Sequence, residues 1–324
     1  SDPEHYIKCQ PGSEAEKYAL QKGVFYELIG EENAWDYKVK NGAAVLTKYL
    51  GTSKNVRIIS NIGAYSVEEL GSGENIFVNG SPNKVYIPKT VNAINENFAC
   101  GAESLSEIYF ENARAISFIG TDAFKDTIFE NKTNVTDEMS IVGTILTRHF
   151  GSKDIKLPER ITGIAGRAFS ENVTSITINE ECKWLADDML YDCSDLEWIF
   201  IPNSITTLKL AMFNYNKSVL IKCDAVSYAA SFAQRNGLNC EPVYYWDYVL
   251  NDEDMTASLI SYTGTQKNVD VPSKIGDYTV TSLVSIRNSS IYKLVIPSTV
   301  TRIEDMFAYS VSSLEIVTFE DVSK

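Results

Sequence analysis

Two histidines, six cysteines and several clustered carboxylates are the side chains in this sequence with the means to do chemistry. A histidine beside a nucleophile would serve acid–base catalysis. His149, however, lies in Leu146-Thr147-Arg148-His149-Phe150-Gly151, which copies Leu46-Thr47-Lys48-Tyr49-Leu50-Gly51. The slot holds Tyr at 49 and again at 262, so packing explains His149 better than catalysis. His5 aligns with Val219 and reads the same way. Cysteines spaced as Cys-x-x-Cys would hold zinc or exchange disulfides, and that spacing is absent. Cys182 occupies an aliphatic slot, and Cys9 and Cys223 end equivalent strands, where a thiol acts as a small hydrophobe. Cys223 and Cys240 are placed to pair across a helix, although Tyr26 stands where Cys240 would recur. The acidic runs Asn251-Asp252-Glu253-Asp254 and Asp187-Asp188 invite a calcium reading. Neither has the spaced ligands, Gly and closing Glu of a calcium loop, so both read as solvated turns. Gly71-Ser72-Gly73 lacks the Lys of a phosphate loop, and no Gly-x-Ser-x-Gly elbow occurs. No nucleophile–base set is assembled, no cofactor is implied, and the expectation is a protein that is not an enzyme.

Charge narrows the partners. Lys and Arg number 29 against 43 Asp and Glu, a net charge of −14. Such a surface repels a phosphate backbone, so nucleic acid is a poor partner. No apolar run reaches the ~20 residues of a membrane span. Hydrophobic residues make up 44%, with 18 Tyr and 14 Phe, which is ample for a packed interior.

Those side chains must be positioned by repeats. An apolar strand ends in an aliphatic residue and Pro, with aliphatics three and six later and Phe at ten or eleven. This reads Ile87-Pro88, Val91, Ile94, Phe98, then Leu157-Pro158, Ile161, Ile164, Phe169. It returns as Ile201-Pro202, Ile205, Leu208, Phe213 and as Ile296-Pro297, Val300, Ile303, Phe307. A degenerate rung, Ile178-Asn179, Cys182, Leu185, Leu190, keeps the spacing without Pro. A step of 21 residues separates Pro158 from Asn179, within the leucine-rich-repeat range. One such rung cannot bury its own apolar face, so rungs must stack. Pro ends each strand because it has no N–H for the ladder. The predicted fold is a β-rich, α/β-type solenoid with a parallel sheet on one face.

A longer repeat overlies the rungs. Ile7-Lys8-Cys9 recurs as Ile221-Lys222-Cys223, Trp35-Asp36-Tyr37 as Trp246-Asp247-Tyr248, and Pro88, Phe98, Leu105 and Phe110 as Pro297, Phe307, Leu314 and Phe319. The predicted organisation is the tail of one module (1–28), a whole module (35–242) and the start of another (246–324), cut from a longer tandem array. Each tail carries a short helix, from Ser13 to Lys22 or from Ser227 to Gln234, N-capped by Ser and stopped by Gly23 or Gly237. Each module opens on a hairpin.

The Ile-Pro-x-x-Val-x-x-Ile rung, the Cys-x-x-x-Ser-x-Ala helix at Cys9 and Cys223, and Tyr262-x-Gly264-Thr265 with Gly276-x-Tyr278 together resemble the BspA-like leucine-rich-repeat family over nearly the whole chain. Asn95, Lys209 and Glu304 depart from its pattern by replacing Gly after the second aliphatic, and Ile59 or Ser60 stands where Pro272 stands. The resemblance implies a right-handed solenoid on a secreted or cell-surface bacterial protein that contacts a host or neighbouring-cell protein or glycan. Alternation along the strands supplies candidate contacts. With Leu196, Ile199 and Ile201 inward, Trp198 and Phe200 face outward, and Tyr109 and Tyr86 do so on the same register. Large aromatics on an open face suit recognition, and cross-strand packing is the competing role. The leading reading is therefore an extracellular interaction scaffold. The alternatives are a spacer within a larger surface enzyme, or a polysaccharide-active enzyme using an Asp/Glu pair.

Overall fold

A computed structural model describes residues 6–10, 13–22, 24, 26–30, 34–133, 135–136, 138–213, 217–225, 227–287 and 289–320. His5 and Gly23 lie outside them. The chain divides into two compact units, residues 1–219 and 220–324.

Each unit is built from one recurring block, a hairpin followed by three rungs. In the first unit, Trp35–Lys40 pairs antiparallel with Ala43–Tyr49. The strands Asn55–Arg57, Lys84–Ile87 and Glu107–Phe110 then stack in parallel. A second hairpin, Met139–Val142 with Ile145–His149, is followed by Asp154–Lys156, Ser175–Thr177 and Trp198–Ile201, again parallel. Most rungs also contribute to a second parallel ladder. This ladder runs through Ala43–Tyr49, Tyr65–Leu70, Ala93–Ile94 and Phe118–Ile119 in one block, and through Ile145–His149, Gly163–Ile164 and Trp184–Leu185 in the next. The 35–242 stretch thus contains the hairpin-and-rung block twice.

The second unit repeats the plan. Trp246–Asn251 pairs with Thr256–Tyr262, and Asn268–Asp270, Lys293–Ile296 and Ile316–Phe319 stack in parallel. A strand–helix–strand element opens it: Leu220–Asp224, a helix over Tyr228–Asn236, and Cys240–Val243. Ser227 Oγ accepts from the Ala230 N–H, and Gly237 ends the helix at φ +62°, a conformation glycine adopts without steric cost. Ile7–Cys9, the helix Glu14–Lys22 and Tyr26–Leu28 form the same element in the first unit.

The proline rungs fold alike because each makes the same turn. The amides of Val91, Ile161, Ile205 and Val300 donate to the carbonyls of Pro88, Pro158, Pro202 and Pro297 at 3.0–3.2 Å. Where Pro is lost, the Asn179 side chain compensates. Its Nδ2 donates to the Pro158 and Ile161 carbonyls, and its Oδ1 accepts from the Glu181 and Cys182 amides. Phe98, Phe169, Phe213 and Phe307 are all buried. In the first block, aromatic rings stack along the axis from Trp35 through Tyr49, Phe77, Phe98 and Phe124 to Phe129, at centroid spacings of 4.7–6.2 Å. Close stacking demands glycine where backbones meet. A Cβ on Gly120 would lie 2.4 Å from the Glu96 amide nitrogen.

Candidate functional site

The three hairpins show what the chemically capable residues do. Trp35 pairs with Tyr49, Trp246 with Tyr262 and Met139 with His149, each with a bulge one residue further along the first strand. Trp35 and Trp246 are similarly buried, with their partner rings 4.7 and 5.1 Å away. His149 therefore fills a packing slot. Its amide donates to Ala168 as that of Tyr49 donates to Ile76, and its ring lies 6.4 Å from Phe169. Burial depresses its pKa, and its Nδ1 is buried without a hydrogen-bond partner.

The thiols sit in apolar surroundings. Burial pushes Cys182 and Cys193 up to about 12, far from the thiolate range in which a cysteine is a nucleophile. Cys223 and Cys240 are free thiols whose sulfurs lie 3.4 Å apart. The acidic turn at 251–254 is internally bonded. Asn251 Oδ1 accepts from the Glu253 amide, Asp254 from Thr256 and Asp252 from the Tyr278 hydroxyl. Asp187 pairs with Lys209 at 2.6 Å, and Asp188 accepts from Thr121. Among the described residues no group of three or more metal-ligating side chains converges. No helix among them is long and apolar enough to cross a membrane.

The four outward aromatics fall into two pairs. Tyr86 and Tyr109 are register partners on one three-stranded sheet. Trp198 and Phe200 lie on another, with the hairpin 139–149 intervening in the chain. The continuous sheet that would carry all four on one face is therefore not formed. Tyr86 is corrected further, since it is only 1% exposed. The Arg57 guanidinium covers its ring at 3.6 Å and lies 3.9 Å from the ring of Tyr6. Alternation does send Tyr86 to the outer side, but an arginine from the neighbouring rung closes over it. Tyr109 is half-buried, and its hydroxyl donates to Glu107, which raises its pKa to about 12. Trp198 and Phe200 are half-exposed while Ile199 and Ile201 between and beside them are fully buried. Trp198 stands in register with Ser175 and Asp154, Phe200 with Thr177 and Lys156. The strip is aromatic at one end and hydroxyl-bearing and charged along its rows.

Two groupings escaped the sequence reading. One is the Tyr6–Arg57–Tyr86 stack, for which the signal was the alternation Asn55-Val56-Arg57. The other gathers Asp122, Lys125, Glu130, Arg148 and Arg167 from separate segments. The Asp122 carboxylate lies 3.4–3.9 Å from Lys125, Arg148 and Arg167. Glu130, 5% exposed, is raised to about 7 by burial. The cavity beside them measures about 10 Å³, room for a water molecule rather than a sugar.

One family model and several solved structures are similar to this chain. Among curated proteins none matches the chain. Among solved structures, a leucine-rich cell surface protein from Faecalibacterium prausnitzii shares 18% identity, covering 89% of this chain and 75% of its own, with a TM-score of 0.32. A leucine-rich-repeat protein of T. pallidum shares 15%, covering 64% and 96%, at 0.32. One from Bacteroides ovatus shares 19%, covering 90% and 76%, at 0.26. The model of the BspA type leucine-rich-repeat region matches residues 55–149 and 140–232 in six copies. That match takes in more than half of the chain, including proline rungs and the His149 hairpin, and on it the chain belongs to the BspA-type leucine-rich-repeat family.

Proposed function

We propose that this chain is a non-enzymatic interaction scaffold of a bacterial surface or secreted protein, which binds a protein or glycan partner through the outer side of its rung strands. The observation carrying this is the strand Trp198–Ile201, where Trp198 and Phe200 stay half-exposed while Ile199 and Ile201 are fully buried. A stacked solenoid holds such side chains on a preformed frame, so little ordering entropy is lost on binding. Indole and phenyl rings add contact area with few rotors to freeze. Thr177, Asp154 and Lys156 in the same rows offer donors and acceptors to sugar hydroxyls or to a peptide. The whole-chain charge of −14 favours neutral or basic partners. The block arrangement fits a tandem array in which 35–242 is one module flanked by copies. Arrays of glycans and host surface proteins test the reading. Trp198→Ala should weaken the ligand so found while the melting temperature stays nearly constant. Unchanged affinity in both Trp198→Ala and Phe200→Ala would remove this face from the function.

A further inference from the structure

The strand–helix–strand element of the second unit carries two free thiols on neighbouring parallel strands. Cys223 lies near the end of Leu220–Asp224 and Cys240 opens Cys240–Val243. Their sulfurs are 3.4 Å apart, across a chain separation of 17 residues. We propose that this pair is a site of thiol–disulfide exchange, which reacts with a small soluble disulfide of the glutathione class and ends as a Cys223–Cys240 bond. The site is independent of the Trp198–Phe200 face, and either can fail without the other.

The repeat itself supplies the control. In the first unit Ile7 pairs with Tyr26 as Ile221 pairs with Cys240, and Cys9 stands where Cys223 stands. The element therefore folds with a buried tyrosine in the second slot, and a second thiol is no condition of the fold. Register explains why the two sulfurs meet. Cys223 pairs with Pro242, two residues beyond Cys240, so both side chains leave the same face of the two strands. Closing the bond brings the sulfurs from 3.4 Å to about 2.05 Å. Cys240 is the first residue of its strand and follows the glycine stop of the helix, Gly237, by three residues. The approach is thus asked of an end of the ladder and not of its middle.

Environment divides the labour between the two. Cys223 is fully buried, and its hydrogen bond to Cys240 together with that burial lifts its thiol above the usual range. Cys240 is half-buried, and the hydrogen bond from Cys223 holds it below the usual range. Cys240 is therefore the thiolate that a dissolved disulfide meets. Its sulfur attacks one sulfur of the reagent, the reagent's S–S bond breaks, and the first thiolate leaves. Cys223 then gives its proton to that thiolate and attacks the Cys240 sulfur. The second thiolate is expelled and takes up the proton that Cys240 released to solvent. Two protein thiols and one small disulfide become one protein disulfide and two small thiols, so the reagent gains the two electrons that the protein loses. Burial holds Cys100, Cys182 and Cys193 above the usual thiol range, which sets this pair apart. Among the described residues no third ligating side chain joins it, and a sulfur–sulfur bond is favoured over a four-ligand structural metal site.

Peptide mapping of the full chain tests the proposal. The reduced chain, freed of reductant, is incubated with oxidised glutathione, denatured, blocked with N-ethylmaleimide and digested with trypsin. Cleavage after Lys222 and Arg235 puts the two cysteines on separate peptides, so a joined pair that dithiothreitol separates reports the bond. The parent should give the joined pair with no glutathione attached to it. Cys223→Ser should stop after the first step, with glutathione retained on Cys240. Cys240→Ser should leave Cys223 free of glutathione, because the buried sulfur does not meet the reagent. Two thiols that are merely packed together would give neither the joined pair nor this asymmetry. The proposal is overturned if the joined pair does not form, if Cys223→Ser takes up no glutathione at Cys240, or if glutathione in the parent goes to Cys100 instead.

Discussion

Glu130→Gln should make the first unit insensitive to one proton that the native protein feels strongly. Glu130 is 5% exposed and faces Arg148 from the second hairpin, with Asp122, Lys125 and Asp126 from the preceding turn. Burial is the main cause lifting its pKa from 4.5 to about 7, with Asp122 and Asp126 adding to it and Arg148 and Lys125 opposing. A rise of this size corresponds to about 3 kcal/mol between protonation states. Below the unfolded pKa both states hold the proton and the full stability is present. As pH rises, the unfolded chain releases its proton first, and stability drains until the folded carboxyl ionises near 7. Gln copies the neutral form and loses nothing. Urea melts of parent and variant at about pH 4 and about pH 8 isolate the effect, because other carboxylates cancel in the difference. The variant should match the parent in acid and exceed it by roughly 2–3 kcal/mol in base. A difference that stays flat across this range would refute the burial argument, and a variant weaker at the higher pH would mean that the Arg148 attraction wins.

Two further outcomes test the stacking. Phe98→Ala removes a fully buried ring packed edge-on between Phe77 and Phe124, and should cost roughly 3–5 kcal/mol in denaturant melts; a loss under about 1 kcal/mol would contradict the rung register. Gly120→Ala places a Cβ 2.4 Å from the Glu96 amide nitrogen. It should cost about 1–3 kcal/mol by overpacking against backbone that cannot yield, and a silent variant would show that the rungs are further apart.

The rungs were readable because they depend on local chemistry. Pro88, Pro158, Pro202 and Pro297 each end a strand and start the same turn, and both facts follow from a missing N–H and a fixed φ. The Phe slots were readable because a repeated spacing returns a side chain to the same depth. The Tyr49 and Tyr262 copies likewise placed His149 in a packing slot. The shorter hairpin-and-rung block within 35–242 was partly hidden. Met139 replaces Trp there, and the strand–helix–strand element that opens the other two blocks does not precede it.

Sequence by itself determined which way each strand residue points, because the side-chain period of two is a property of the backbone. It placed Tyr86 on the outer side, yet could not say that Arg57, from the rung before, and Tyr6, from the preceding element, would close over it. It marked four outward aromatics but not their division between two sheets, which depends on where the second hairpin enters the stack. Glu130 had no signal at all, since its burial and its neighbours come from segments tens of residues apart. Orientation is local and survives in one dimension; cover, grouping and electrostatic surroundings are sums over neighbours that only the folded chain brings together.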